Sequence, residues 1–469
     1  MFTHPRPERT ISAERLGSPE FRERYGVRYN YVAGGMYRGI ASEMLVLRMA
    51  RARLLSFYGT GGLKLGEIES ALRRIQGELS GGEPFGFNFL SSARDPRFEE
   101  EQASLYLRTG VRCVEASAFT QITPALVRYR VAGLRLRPDS TVEPRNRVLA
   151  KVSRLEVAEA FLSPAPGPML ARLVESRSIT PEQASLAAHL PMADDLCVEA
   201  DSGGHTDKGV GAVLLPAMIE LRNSLRARHG YTAALNVGLA GGLGTPAAVA
   251  AAFVLGADFV LTGSVNQCTV EAGTSDLVKD MLQEMDIHDT TMAPASDLFE
   301  VGAKVQVMRK GLLFPGRANR LYDLWQRFGS LDELDERTRA DLERNYFRCS
   351  LEEAYEEVRR RYAATRPEEF ELAERNPKHK MALLFRSYLA RTARLALSGA
   401  VERRVDFQIH CGPALGAFNR SVRGTRLESW RNRHIDSIAE HLMTGAAAVL
   451  AERFGALEQA ATEVINGVR

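Results

Sequence analysis

ALNVGLAGGLGTPAAVAAAFVLGADFVLTGS, residues 234–264, holds a β-branched apolar run, a glycine turn, a helical pattern and a second apolar run. Two architectures place a strand, a glycine loop and a helix in this order. In a doubly wound sheet the loop would be a dinucleotide fingerprint, G-x-G-x-x-G, with an acid closing the next strand. Here the spacing is G-x-x-G-G-x-G, and the next strand closes on Thr262, Gly263 and Ser264 instead. The stretch therefore reads better as one βα unit of a closed barrel, with the open sheet as the weaker alternative.

Six more apolar runs precede it: YNYVAGG (29–35), LLSFYGTGG (54–62), PFGFNFL (84–90), GVRCVEAS (110–117), RVLAKVS (147–153) and DLCVEAD (195–201). Continuous apolar runs of this length suit strands buried on both faces of a parallel sheet. Helical patterns such as SEMLVLRMARA (42–52) and PRFEEEQASLYLRTG (96–110) lie between them. Eight strands alternating with helices predict an α/β fold, a (β/α)8 or TIM barrel over residues 29–270. A 1–28 extension precedes it, and a helical insertion at 162–193 begins its second helix at "ITPEQA". Beyond 270 the strand signal stops and helical patterns dominate, so 271–469 is expected to be a helical subdomain formed by the late region of the chain.

The 469 residues carry a formal net charge of +3, which gives no field for nucleic acid. The sequence has no run of 18 apolar residues and no apolar core in its N-terminal segment, so neither a membrane span nor a secretory signal is expected. Five scattered cysteines without a CxxC pair fit reduced thiols in the cytoplasm. The histidines lack ligand spacing, so no metal is expected.

In a TIM barrel the loops after the strands share the face that carries the active site. The unusual residues fall there: Gly34-Gly35-Met36, Asn88, Glu115, Lys151, Ser202-Gly203-Gly204-His205, Ala240-Gly241-Gly242 and Thr262-Gly263-Ser264. Gly241 and Gly242 precede a helix opened by Thr245-Pro246, whose N-terminus favours an anion. With the loop at Gly263 they predict a phosphate site between the seventh and eighth strands; the plainer alternative is that these glycines only end strands. His205 follows a flexible double glycine at the sixth strand, where an imidazole can donate a proton near neutral pH. Glu199 or Asp201 is expected to orient its ring. Lys151 reads as a cation toward an electron-rich cofactor edge, as a Schiff-base lysine, or as half of an ion pair.

Longer motifs carry a resemblance. YVAGGMYRGIAS (31–42), FYGTGGL (57–63), PMADDLCVEADSGGHTD (191–207), GLAGGLGTPAAVAAAFVLGADFVLTGSVNQ (238–267), MAPASDLFEVGAKVQV (292–307) and CGPALGAFN (411–419) resemble the PfaD-like enoyl reductases. These serve polyunsaturated fatty acid synthases and trans-acyltransferase polyketide synthases. More distantly, the barrel is similar to FMN-dependent enoyl-ACP reductases and nitronate monooxygenases of the 2-nitropropane dioxygenase-like group. The resemblance implies FMN, with NADPH as hydride source. By it, Ala240, Gly241, Gly242, Thr262, Gly263 and Ser264 hold the FMN phosphate, and Gly34, Gly35 and Met36 lie along the flavin. Asn88 and Lys151 touch its edge, and Gly203 and Gly204 lead to His205 as the catalytic residue.

It further implies a trans-acting enoyl reductase of thioesters on acyl carrier protein, working with polyketide or fatty acid synthase modules; the oligomeric state stays open, a homodimer included. An acidic carrier protein calls for a basic face, for which EVRRRYAATR (357–366) and LLFRSYLARTARLALSGAVERR (383–404) are candidates. Family members usually have tryptophan before the Cys-Gly-Pro; this chain has His410. A nitronate monooxygenase-like oxidase and a non-catalytic synthase-binding barrel remain the alternatives.

Overall fold

The structure, a computed structural model, describes residues 11–79, 81–92, 95–139, 141–364 and 366–467, with side chains through 461. Residues 1–10 of the expected N-terminal extension lie outside them. Eight parallel strands close into a barrel: β1 (Tyr31–Ala33), β2 (Leu55–Tyr58), β3 (Gly86–Leu90), β4 (Cys113–Ser117), β5 (Arg147–Val152), β6 (Asp195–Glu199), β7 (Asn236–Ala240) and β8 (Val260–Thr262). Each expected run contributes its strand. Closure joins β1 to β8 in the register Tyr31↔Val260, Val32↔Leu261 and Ala33↔Thr262.

The chain divides into two compact units. The first contains the barrel and comprises the residues up to Asp201, Asp207–Gly273 and those from Arg420 onward. The second comprises Ser202–Thr206 and Thr274–Asn419.

In the first unit, alternate strand residues fill the barrel, among them Val32, Leu55, Phe57, Leu149, Cys197 and Leu261. The N-terminal extension contains a helix, Pro19–Tyr25, that closes the barrel at the N-terminal ends of the strands. Phe21 stacks on Phe259 at 4.3 Å between ring centroids. The Tyr25 hydroxyl and the Arg24 guanidinium each donate to the buried Asp195 carboxylate at 2.5 Å. Sequence polarity hides this plug because its two anchors are a tyrosine and an arginine. The 162–193 segment forms helices Gly167–Glu175 and Pro181–Ala187, the second opened by a Thr180–Gln183 capping box.

Two expectations beyond residue 270 need correction. The last helix, Ile435–Gly467, belongs to the barrel unit, not to a separate subdomain. It packs along the helix Pro246–Val254, where Gly445 meets the Pro246 ring: a Cβ on Gly445 would stand 2.6 Å from Pro246 Cγ. Strands also continue past 270. Thr290–Pro294 and Lys304–Met308 pair antiparallel, and Gly204–His205 adds to the second of them. The alternation in KVQVM marks this strand, but the long helical patterns around it are the stronger signal. Around this sheet the second unit is helical, with a core that includes Phe299, Val305, Val307, Phe314, Phe385 and Tyr388. Among the described residues no helix is long and apolar enough to cross a membrane.

One buried ion pair ties the helix Pro124–Val131 to the strand entrances. Arg130 donates to Asp194 at 2.6 and 3.1 Å and to the carbonyls of Asn146 and Pro191. The Val148 N–H also donates to Asp194, at 2.9 Å. Burial favours neutral Asp194, but Arg130 and Arg24 outweigh it and hold the carboxyl below its usual range. Its stabilising contribution is therefore full above the ordinary carboxylate value of about 4 and lost as pH falls through the depressed native value. Arg130→Ala leaves a buried carboxylate unpaired and is expected to cost about 3–5 kcal/mol. Urea unfolding at pH 7 checks this, and the deficit should narrow toward pH 2.

Candidate active site

The strand ends of the first unit converge on Glu115, the buried acid of β4. Asn88 Nδ2 donates to Glu115 Oε2 at 2.6 Å and lies 3.0 Å from Ser117 Oγ. The Gly35 N–H donates to the same carboxylate oxygen at 3.1 Å. A Cβ on Gly34 would stand 2.7 Å from Leu261 Cδ2, and one on Gly35 would stand 2.9 Å from Asn88 Cβ and Glu115 Oε2. The glycines after β1 are thus required by packing against the Glu115–Asn88 pair. Met36 turns its carbonyl against Gly59, where no side chain would fit. Asn88 spends its amide N–H groups on this network, so toward a ligand it offers the acceptor Oδ1.

Lys151 on β5 lies 3.4 Å from Glu199 on β6. Burial works against its charge, but Glu199 and Glu115 outweigh burial and hold its pKa above the ordinary lysine range. The Glu199 contact makes Lys151 one half of an ion pair, and a lysine held cationic is a poor amine nucleophile. Burial in turn raises Glu115, against the pull of Lys151.

The loops after β7 and β8 differ from these packed glycines. Gly241 (φ +91°) is needed for close approach, since a Cβ would stand 2.7 Å from the Ala200 carbonyl carbon. Gly242 (φ +73°) and Gly263 face open space: no atom lies within 4 Å of where their Cβ atoms would stand. Thr245 caps the helix Pro246–Val254, its Oγ1 accepting from the Ala248 N–H at 3.2 Å. Ala240 and the Thr262 side chain are spent on the barrel: Ala240 is buried, and Thr262 Oγ1 is 2.5 Å from the Tyr31 hydroxyl. Ser264 starts the short helix Ser264–Gln267. Two open glycines beside a capped helix N-terminus fit a phosphate-bearing group.

Gly203, Gly204 and His205 belong to the second unit, where Gly204–His205 forms a short strand. A Cβ on Gly203 would stand 2.8 Å from Cys411 Cα, and one on Gly412 would stand 3.0 Å from Gly203 N. Gly203 and Gly412 let two backbones touch. Gln306 Nε2 donates to the Ser202 carbonyl at 2.8 Å and pins the segment further. His205 keeps half of its side chain exposed, and its Nε2 lies 3.0 Å from Asp297 Oδ1. Burial favours neutral Asp297, but the hydrogen bond and charge of His205 outweigh it and hold the carboxyl below its usual range. Asp297, a residue not singled out in the sequence, supplies a carboxylate to the ring. Its signal stands in the MAPASDLFEVGAKVQV motif, ninety-two positions away, and no spacing rule links the two.

The proposed basic faces also shrink. Arg386 is spent on Glu300 and Glu369, and Arg403 is buried against Asp406. The helix Leu351–Tyr362 carries Glu352, Glu353, Glu356 and Glu357 beside its arginines.

Comparison with known proteins gives a consistent set. A family model for the inserted helical domain of [acyl-carrier-protein] S-malonyltransferase matches residues 328–407. The chain is 53% identical over 456 residues to the polyketide biosynthesis protein PksE of Bacillus subtilis, covering 97% of this chain and 59% of that protein. It is 44% identical to one of the polyunsaturated fatty acid synthase proteins of Thraustochytrium sp., covering 88% of this chain and 28% of that protein. The chain thus spans less than two thirds of the length of these curated relatives. The solved enoyl reductase domain of MlnA, from the macrolactin cluster of Bacillus amyloliquefaciens, superimposes with a TM-score of 0.91 at 45% identity. That match covers 94% of this chain and all of the other.

The Gly203–Cys411 approach generates a stability prediction. Gly203→Ala puts a methyl group into backbone and should cost about 1–3 kcal/mol. A lowered melting temperature with increased protease cleavage within 274–419 would show it.

Proposed function

The chain belongs to the family of the MlnA enoyl reductase domain, the PfaD-like proteins of polyketide and polyunsaturated fatty acid synthases, and from this premise we propose that it is an FMN-dependent enoyl reductase acting on thioesters of acyl carrier protein. The observation that carries the reading is a half-exposed imidazole paired with an ionised carboxylate, His205 with Asp297 at 3.0 Å. The open glycines after β7 and β8 support it.

The residues present fit a flavin mononucleotide. Gly242 and Gly263 would receive its phosphate, and Gly34, Gly35, Met36, Asn88 and Lys151 would border its ring system. When bound and reduced by NADPH, the group supplies the hydride for the β-carbon of an α,β-unsaturated thioester. Lys151, held cationic by Glu199 and Glu115, would offset negative charge on the bound group. Asp297 holds His205 Nε2 in a hydrogen bond, and the imidazole would supply the proton for the α-carbon.

An anaerobic experiment tests the reading. The purified protein is expected to carry flavin absorbance, to be bleached by NADPH, and to be reoxidised by a crotonyl thioester on carrier protein. Reoxidation only by oxygen or a nitronate would replace this reading with an oxidase; a colourless protein that takes up no FMN would leave a binding role. His205→Ala should slow thioester-dependent reoxidation about 10²–10⁴-fold. Gly242→Ala should reduce the flavin absorbance of the purified protein while costing only about 1–2 kcal/mol of backbone strain.

A further inference from the structure

The loop after β1 carries a cation in an unusual backbone setting. Arg38 stands at φ +52° and ψ +37°, the left-handed region that disfavours any residue with a Cβ. The loop after β2 imposes it. The Arg38 N–H donates to the Gly61 carbonyl at 2.8 Å, and the Gly39 N–H donates to the Gly59 carbonyl at 2.9 Å. The Gly59 N–H returns a bond to the Ala41 carbonyl at 3.0 Å. A strained residue persists where its surroundings over-determine it, and such residues cluster at ligand sites.

The side chain is held as well. Arg38 Nε donates to the Tyr37 hydroxyl at 3.1 Å, and the guanidinium carbon lies 5.4 Å from the Tyr37 ring centroid. On another side is Gly62, where a Cβ would stand 3.2 Å from Arg38 Nε and 3.3 Å from its Cγ. Arg38 thus runs between an aromatic ring and bare backbone.

Its charge differs from that of the cations after β5. Lys151 pairs with Glu199, and Arg154 pairs with Asp207. Among the described residues no carboxylate pairs with Arg38, and Nε is the only guanidinium nitrogen given an acceptor. The acids that act on the adjoining Tyr58 are engaged elsewhere. Glu43 takes two hydrogen bonds from Arg74, and Glu67 takes the Lys64 N–H at the start of the helix Leu65–Glu78. Lys64 itself is exposed two residues beyond Gly62 and adds a second positive charge. A half-buried guanidinium with both Nη groups unspent suits two oxygens of one phosphate.

We propose that Arg38 binds a phosphate group of an incoming substrate of the enoyl reduction. The inference rests on the enoyl reductase reading, whose two substrates both carry such a group. The pyridine nucleotide has a pyrophosphate and, in NADPH, a 2′-phosphate; a carrier-bound thioester has the phosphodiester of its pantetheine arm. The open glycines proposed for the flavin phosphate follow β7 and β8, whereas the Arg38 side chain lies on the loop after β2, at the other side of β1. Arg38 makes and breaks no bond. It contributes uniform binding, which moves KM and leaves kcat nearly unchanged.

Arg38→Gly is the informative variant, because glycine accepts the left-handed backbone and removes the guanidinium. Its melting temperature and flavin absorbance should equal or exceed those of the wild-type protein. Titration calorimetry with NADPH, NADH, pantetheine 4′-phosphate and pantetheine needs no turnover. Arg38→Gly is expected to weaken a phosphate-bearing probe about 10–100-fold, and Arg38→Lys should recover part of that loss. Weakening of NADPH but not NADH assigns the contact to the 2′-phosphate, and weakening of both assigns it to the pyrophosphate. Weakening of pantetheine 4′-phosphate but not pantetheine assigns it to the carrier arm. Unchanged affinity for all the phosphate-bearing probes would overturn the inference, as would equal weakening of pantetheine and its phosphate with both nucleotides unaffected. A fall in melting temperature or flavin absorbance would also overturn it, by giving Arg38 a packing or cofactor role. A wild-type protein that binds a phosphate probe through Arg38 but reduces no enoyl thioester would keep this contact and remove the enoyl reductase reading.

Discussion

The pairing of Tyr31–Ala33 with Val260–Thr262 is the contact on which the first unit depends. It turns eight parallel strands into a ring, and a ring has two unlike ends. At the N-terminal end the helix Pro19–Tyr25 fills the opening, and Asp195 takes hydrogen bonds from Arg24, Tyr25 and Asn236. At the other end the strands stop on glycines and on a few polar side chains. Closure thus separates stability from chemistry: one end is plugged by a stacked aromatic ring and a saturated carboxylate, the other is left for a ligand.

Carboxylates at the candidate site do two kinds of work, set by their surroundings. Glu115 is buried, and its Oε2 gathers Asn88, Ser117 and the Gly35 N–H. It holds the loop after β1, and burial raises its pKa even beside Lys151. Asp297 is exposed, and the hydrogen bond and charge of His205 lower its pKa against the desolvation it does suffer. The first is tied to backbone and the second to an imidazole. The same residue chemistry serves both because the partner, an N–H network or a titratable ring, decides which protonation state is favoured.

The eight strands are legible in the sequence because burial on both faces leaves a continuous apolar run, a signal that needs no partner to be read. The glycines are legible as positions but not as purposes. Gly242 and Gly263 face open space, whereas Gly34, Gly35, Gly203 and Gly241 are held by atoms within 3 Å of a would-be Cβ. Sequence gives all six the same letter. The Pro19–Tyr25 plug and the strand Lys304–Met308 are hidden for a related reason: each is short, and its worth lies in contacts far away in the chain. Asp297 cannot be matched to His205 by spacing, since only the antiparallel sheet brings their segments together.

A double glycine before His205 suggests a flexible hinge, and the actual setting of the histidine changes what it can do. Gly203 lies against the Cys411 backbone, Gly204 bonds in register with Gln306, and His205 with Val305. A ring carried on such a strand loses little freedom when a substrate arrives, because folding has already ordered its backbone. The Asp297 carboxylate gives Nε2 a hydrogen-bond partner as well. Proton transfer depends on distance and direction at the moment of reaction, so an imidazole with both fixed in advance needs little reorganisation. Gly203 and Gly412, by lacking Cβ atoms, let two backbones close to contact, and that contact fixes the segment that leads into the histidine's strand.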